Sequence, residues 1–545
     1  MSPETANRES QPKTVEEYLQ SYLALGAEFI DPPKVKIVLA TASVSEKTKV
    51  GARDVAVTTA AQCYAPGVAL MHQRRDRVAN AIADSTLKAG HLTTRQHVHY
   101  TWRFEGASRS ATHDILHSHP FYNTEQQSQR FVPVVEGSYL VPSQLTPEET
   151  SLYVDAASFA NTAYVEMNEW LRPEIEKRIR EMYPPQKYKV ERTTKRLMDK
   201  GGKLTQEISR YLLPICQKTT YYHTLSALQV MRLFRASRMP HFTDEARFIV
   251  GSMIAEVAKH DPTIMEEVQV PLPAQIKEAS NATYLVEHKK EFDALLRDKM
   301  SALYRFSPDM RVALADAIRN NIGMPAQRVS GAEAISQVLN PAKNPYLADV
   351  YDTGMFDPAS MALRQVHLGF ATKLSHTADS QRQRHRMTPG ATPPLEFLYD
   401  GTMDYITPFV IKQTPELREK YDEKMKGIFD RVNRCIEAGV PLKYALTLLP
   451  NALTVRTIES GDLFDWTHRW KQRLCYLAQE EIFFISVEQA EQALEHLPEA
   501  GSLFLAPCGI RKAAGISPRC PEGERFCGQP VFNMQLNQYK EHRLV

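Results

Sequence analysis

The amino-acid sequence predicts an α+β protein: two fused copies of one helix-rich domain, each with a small mixed sheet, packed as a pseudo-dimer and followed by a cysteine-containing tail. Three observations lead there. Apolar residues recur at helical spacing through most of the chain. Two patterns occur twice in the same order: "FEGASRSATHDILHSH" (104–119) parallels "FATKLSHTADSQRQRHR" (370–386), and "RYLLP" ending at Pro214 parallels "LTLLP" ending at Pro450. Finally, Cys508, Cys520 and Cys527 gather in "APCGIRKAAGISPRCPEGERFCG", apart from the singly scattered Cys63, Cys216, Cys435 and Cys475.

Taken in order, the chain opens on a polar, Pro-containing stretch before a short amphipathic piece. Helical periodicity is read over 155–183, 208–238 and 245–260, and again over 423–440 and 478–494. The prolines near 262–275 interrupt the pattern and mark the boundary between the halves. Pro214 and Pro450 are each expected to end or kink a helix. The two longer repeated stretches read as alternating extended segments running into a helix rich in His or Arg.

Composition narrows the function. With 66 Lys plus Arg against 64 Asp plus Glu, the net charge is +2, so no global field for a polyanion exists and nucleic acid is not an expected partner. Hydrophobic content of 43% and charged content of 24% are ordinary globular values, suited to two to four domains. The N-terminus lacks the basic start, apolar run and small-residue cleavage site of a signal peptide, and no 18-residue apolar run follows, so no membrane partner and a cytoplasmic location are expected.

Against near-neutral charge, "DSQRQRHR" (379–386) is conspicuous. If it enters a helix, Gln381 stacks beside Arg384 and His385, and Arg382 beside Arg386, so the arginines splay over more than one face. Such a fork suits an anion gripped from several sides, because guanidinium offers planar bidentate donors. A solvated helix face is the competing reading. In the first half, Pro120 breaks the helix and a polar loop leads to Ser128, Gln129 and Arg130, the kind of loop that presents hydroxyl, amide and guanidinium groups to a ligand. His113 and His117 stand i,i+4, as helical metal ligands can, but no Glu follows His113 as in an HExxH motif. Cys508, Cys520 and Cys527 could begin a zinc or iron–sulfur site, with His542 or a residue of the body as fourth ligand, or be isolated reduced thiols.

The stretch "GHLTTRQHVHYTWRFEGASRSATHDILHSHPFYNTEQQSQRF" resembles the signature region of the flavin-dependent thymidylate synthases. "AAQCY" (60–64), "ISRYLLP", the intact Arg384-His385-Arg386 triplet and "LPNALTVRTIESGDLFDWTHRWKQRLCYLAQEEI" (449–482) are similar to further elements of that family. The resemblance spans roughly 36–260 and 285–495. It implies an N-terminal extension (1–35), a first domain (36–265), a linker (266–284), a second domain (285–500) and the cysteine tail (501–545).

The family's site lies between protomers, where the Arg-His-Arg of one chain meets the Ser-x-Arg loop of another. Here each half has lost what the other retains. The first half has His117, Ser118 and His119 in place of the triplet but keeps Ser128, Arg130, Arg210 and Arg238. The second keeps Gln381, Arg384 to Arg386 and Arg473, but "MTPGATPPLEF" replaces its loop, and Leu446 stands where the counterpart of Arg210 would be. The resemblance therefore implies one composite site between the halves. Arg384, Arg473 and Ser128 would be catalytic, with Ser128 a hydrogen-bonding rather than attacking group. His97, Arg384, His385, Arg386 and His468 would hold FAD, and Gln381, Ser128, Gln129, Arg130, Arg210 and Arg238 the substrate. Ala227 and Gln229, and Asp462 and Phe464, stand where the family's flavin-contacting Asn and Arg belong, leaving His468 to reach the cofactor.

The implied activity is reductive methylation at C5 of a uracil nucleotide, dUMP to dTMP, with FAD, NADPH and methylenetetrahydrofolate as the reduced folate. A homodimer of the tandem chain would mimic the family's tetramer. The alternatives are a related methylase acting on another uracil nucleotide, a non-catalytic nucleotide-binding or scaffold protein that has lost flavin binding, and a metal-dependent enzyme at His113 and His117 or at the tail cysteines.

Overall fold

The computed structural model describes residues 13–41, 50–70, 77–117, 120–183, 191–239, 241–273 and 282–545, with side chains of 191–198 and 282–283 left aside. It contains two four-stranded sheets of the same topology. In the first, the strand Lys34–Ala40 pairs with His99–Ser108, then comes Lys218–Ser226, then Asn123–Gln126; in the second, Ser301–Phe306, His367–Ser375, Thr454–Asp462 and Gly390–Ala391 follow in the same order. Every pairing is antiparallel, so the sheets are not the mixed ones expected.

The helices follow the sequence reading in most places. Pro147–Met182 is one 36-residue helix, started by Thr146, whose side chain accepts from Glu149 N while the Glu149 carboxylate accepts from Thr146 N. Pro415–Glu437, Asp244–His260 and Glu480–His496 are its companions. The segment 208–238 is the exception, because it holds the strand Lys218–Ser226 before the helix Ala227–Ala236. Its "KTTYYHTLS" alternates inward and outward and is rich in β-branched and aromatic residues, which favour a half-buried strand over a helix.

Among the described residues, three large apolar cores stand beside two small clusters. One lies within the first half around Trp102, Phe104 and Ile249; a second joins the second half to the tail around Trp466, Trp470 and Tyr539; the third is shared, with the Pro147–Met182 and Pro415–Glu437 helices packed across it. Near the centre, Pro214 and Pro450 do not merely end helices but face each other in an antiparallel bridge. Ile215 N donates to Leu449 O at 3.0 Å, and its counterpart Asn451 N donates to Leu213 O at 2.8 Å. Cys216 N reaches Thr447 O at 2.7 Å, while Ala452 N reaches Tyr211 O at 2.9 Å. Such reciprocity is the mark of an isologous interface, here made within one chain. Among the described residues, no helix is long and apolar enough to cross a membrane.

Candidate functional site

The second half's contribution begins at Ser375. Its backbone N and Oγ each donate to Glu481 at 2.6 Å, and its Oγ accepts from Ala378 N to cap the helix His376–Arg382. That helix stops at Arg382, earlier than expected, so Arg384, His385 and Arg386 stand on a turn rather than on a helix face. The cause is a buried polar network. Arg382 turns inward to Asp379 (2.5 Å) and lies 3.7 Å from Glu459, which in turn receives Arg469 at 2.6 and 3.2 Å. These four side chains are essentially fully buried and their charges cancel.

With Arg382 held inside, the triplet splits by function. Arg384 is exposed, and Arg386 lies over the Tyr122 ring at 4.9 Å. His385 is buried and its Nε2 accepts from Arg473 Nε at 2.8 Å. Burial, with Arg473 and Arg469 alongside, holds that imidazole neutral, far below its usual pKa. Arg473 also donates to the Gln381 carbonyl at 3.1 Å.

The first half supplies the turn after the strand Asn123–Gln126. Ser128 Oγ accepts from Arg130 N at 3.2 Å, and the Ser128 carbonyl accepts from Phe131 N and Val132 N. Arg130 pairs with Glu207 and crosses to the second half, donating to Leu477 O at 2.8 Å. Gln129 Oε1 accepts from Asn451 Nδ2 of the second half at 3.3 Å. Arg210, on the short turn Arg210–Leu212, is buried.

Several donors of this region are unspent. Arg210 Nε and Nη2, Arg109 Nε and Gln129 Nε2 are buried without a hydrogen-bond partner. Arg109 is pushed down to about 9 by burial and by Arg210 and Arg384. Arg473 is likewise pushed down to about 9 by burial and by Arg469, Arg384 and Arg130. Guanidinium groups from both halves thus crowd one another, and Arg210 is depressed too, by burial first. A buried donor without an acceptor costs about 1–3 kcal/mol and a charged one more, so the arrangement suits an anion rich in acceptor oxygens. Beside it opens a cavity of about 290 Å³ lined by Tyr122, Tyr222, Thr224, Glu125, Arg384 and Arg386. Two of its lining groups, Arg384 and Arg386, are cationic.

Other expected residues stand elsewhere. Arg238 donates to Tyr18 Oη at 3.0 Å, away from this group. His97 is exposed on the turn before His99–Ser108. His468 pairs with Asp352 at 2.9 Å and lies edge-on to His385 at 6.1 Å between ring centres. Asp462 caps its helix and pairs with Arg364, which also lies over Phe464, so both positions are taken up locally. Ser118 and His119 lie outside the described residues. His113 and His117 do converge, on Asp379 at 2.8 and 2.9 Å, with the His113 ring stacked on His117 and on His376. Asp379 already neutralises Arg382, so the trio ties the halves together as a polar node. Sequence reasoning missed Arg109, Asn451 and this node. Arg109 sits inside a quoted motif, but nothing local reveals that its guanidinium is buried beside Arg210.

The family model for "Thymidylate synthase complementing protein" matches residues 44–263 and again 307–499. The flavin-dependent thymidylate synthase of Clostridium tetani is 26% identical over 216 residues, covering 39% of this chain and 80% of that protein. That of Mycobacteroides abscessus is 34% identical over 87 residues, covering 16% of this chain and 34% of that one. Among solved structures, the UMP/dUMP methylase PolB from Streptomyces cacaoi bound with 5-Br dUMP matches with a TM-score of 0.30 at 16% identity, over 44% of this chain and 95% of that one.

Proposed function

Since the chain belongs to the thymidylate synthase complementing protein family, matched once in each half, we propose that it is a thymidylate synthase-like methyltransferase that works on a uracil nucleotide at one composite site between its halves. The observation that carries the reading is the set of orphaned buried donors, Arg210, Arg109 and Gln129, facing the guanidinium groups of Arg384 and Arg473. A nucleotide phosphate supplies the acceptors they lack, and the pyrimidine then extends into the cavity beside Tyr122 and Tyr222.

In this reading Arg210, Arg109 and Arg130 hold phosphate from the first half. Gln381 and Arg384 close on the nucleotide from the second. Arg473 stabilises negative charge developing on the ring, a role that needs no covalent nucleophile of the enzyme. His385, held neutral, keeps Arg473 oriented through its Nε2. Ser128 hydrogen-bonds substrate. Arg384 and Arg386 would hold the phosphates of FAD; the helix Leu463–Arg473 would add little, because Asp462 and Phe464 are engaged with Arg364. When bound, reduced flavin supplies reducing equivalents, NADPH regenerates them and methylenetetrahydrofolate brings the one-carbon unit. The free cysteines suit a reducing cytoplasmic setting.

Calorimetric titration with dUMP, UMP and inorganic phosphate tests the site. Saturable nucleotide binding that Arg210→Ala and Arg384→Ala each weaken, in protein that stays folded by circular dichroism, is expected. Undiminished binding in both variants refutes the composite site. A flavin spectrum that dUMP perturbs separates the enzyme from a nucleotide-binding scaffold without cofactor.

A further inference from the structure

The tail cysteines are joined by a fourth that neither their spacing nor the family match singles out. Cys475 lies on the turn between the helices Leu463–Arg473 and Glu480–His496, and with Cys508, Cys520 and Cys527 it lines one small cavity of about 20 Å³. Four of the chain's seven cysteines therefore share one void, all of them unbridged. The remaining wall is mostly apolar, with Tyr476, Phe526 and Val531.

Chemistry limits what such a group can be for. His542, the other candidate ligand, is exposed and hydrogen-bonded to Gln538 O at 3.0 Å. Regular structure does little to fix this tail, since beyond the seven-residue helix Pro507–Ala513 it holds three-residue turns and one four-residue helix. Small units with so little regular structure commonly rely on a cross-link or a metal. The backbone beside the ligands is specialised as well. Gly528 has φ +85°, and a Cβ there would stand 2.7 Å from the Tyr183 ring.

We propose that Cys475, Cys508, Cys520 and Cys527 bind a single soft divalent cation, of the zinc class, as a tetrathiolate clip fastening the tail to the body. Room for one water-sized occupant admits one ion and leaves no space for a polynuclear cluster. No three of the sulfurs yet lie mutually within 4.8 Å, so they line the wall, and an ion bound at about 2.3 Å from each draws them inward. Each thiol gives its proton to solvent on ligation, so four protons leave as one ion binds. The clip stands two residues beyond Arg473, and its turn offers the Leu477 carbonyl to Arg130 and the Ala478 carbonyl to Arg543. The ion thus shapes the segment that carries a second-half arginine to the nucleotide.

Metal analysis of the full-length protein, purified without metal-affinity resin and then incubated with zinc and desalted, tests this directly. One equivalent of zinc per chain is expected, released in full when a mercurial blocks the thiols. Cobalt in its place should give the intense visible bands of a tetrahedral thiolate site. Cys475→Ser and Cys508→Ser should each lose the ion, whereas Cys216→Ser, a buried cysteine of the interface, should keep it. Zinc-free wild-type protein after that incubation overturns the proposal whether or not the variants fold. Full occupancy in Cys475→Ser, or iron with labile sulfide in the isolated protein, overturns it equally. None of these readouts depends on nucleotide binding, so the clip and the proposed reaction stand or fall separately.

Discussion

Ser108 and Ser375 do the same work in opposite halves. Ser108 N and Oγ donate to the two oxygens of Glu245 at 2.7 and 2.5 Å, and Ser375 N and Oγ donate to Glu481 at 2.6 Å each. Both serines join a central strand to the helix that follows, and both glutamates open the first turn of a later helix. Immediately past this joint the halves part. The first-half helix carries His113 and His117 onto Asp379, while the second carries Gln381 and leads to the Arg384–Arg386 turn. On the other side of the seam, the counterpart of Arg210 is Leu446. Duplication has kept what each copy needs to fold and to bind the other, and has divided between the copies the Arg-His-Arg triplet and the Ser-x-Arg turn. One chain can do this because its two halves are not bound by symmetry, whereas identical subunits must repeat every change.

The largest effect should come from breaking that division. Arg384→Ala should weaken dUMP binding about 10-fold or more, since a hydrogen bond to a charged group contributes about 1.5–3 kcal/mol. His117→Ala, at the mirror position, should change nucleotide affinity less than about threefold in the same calorimetric assay; equal losses would contradict the assignment of function to one seam. Next in size, Ser108→Ala and Ser375→Ala should each destabilise the protein by about 1–3 kcal/mol, because each removes a hydroxyl donor from a buried carboxylate and the acceptor for a backbone N–H of the following helix. Urea unfolding of the two variants should show similar losses, and a large asymmetry would mean the joints are not equivalent.

Acidity offers a finer contrast. Burial depresses His113 to about 4, so its folded pKa lies below the unfolded 6.5; its stabilising contribution is present above 6.5 and is lost as pH falls through 4. Glu245 is raised by burial to about 7, so its contribution is present below the unfolded 4.5 and is lost as pH rises through 7. Unfolding midpoints of Glu245→Gln measured from pH 5 to 8 should therefore fall less on the alkaline side than those of the wild type. The smallest effect belongs to the partly exposed pair Arg431–Asp155, 3.0 Å apart across the two long helices. Asp155→Asn should cost no more than about 1 kcal/mol, because such pairs are weakened by solvent and salt. A larger cost would make the seam more electrostatic than its apolar core suggests.

The particular misreadings share one cause. The segment 208–238 carries apolar residues at spacings that suit a helix, yet Tyr221, His223 and Leu225 are buried on alternate positions of a strand because a neighbouring strand waits at His99–Ser108. The helix through "DSQRQRHR" ends early because Asp379 and Glu459 draw Arg382 inward, and Glu459 is supplied from far along the chain. Arg238 belongs to the same motif region as Arg210 but finds Tyr18 first.

By itself the sequence determined the duplication, the α+β character, the presence of the long helices, the division of the Arg-His-Arg and Ser-x-Arg elements between halves, and the grouping of three tail cysteines. Those are properties of spacing, and spacing is carried by the chain alone. Only the tertiary structure decided that Pro214 and Pro450 face each other, that Arg109 Nε and two Arg210 nitrogens are buried without acceptors, that His113 and His117 close on Asp379, and that Cys475 joins the tail. Each of these depends on burial and on a partner contributed by a distant segment. Whether a polar group is satisfied is therefore settled only when the two halves come together.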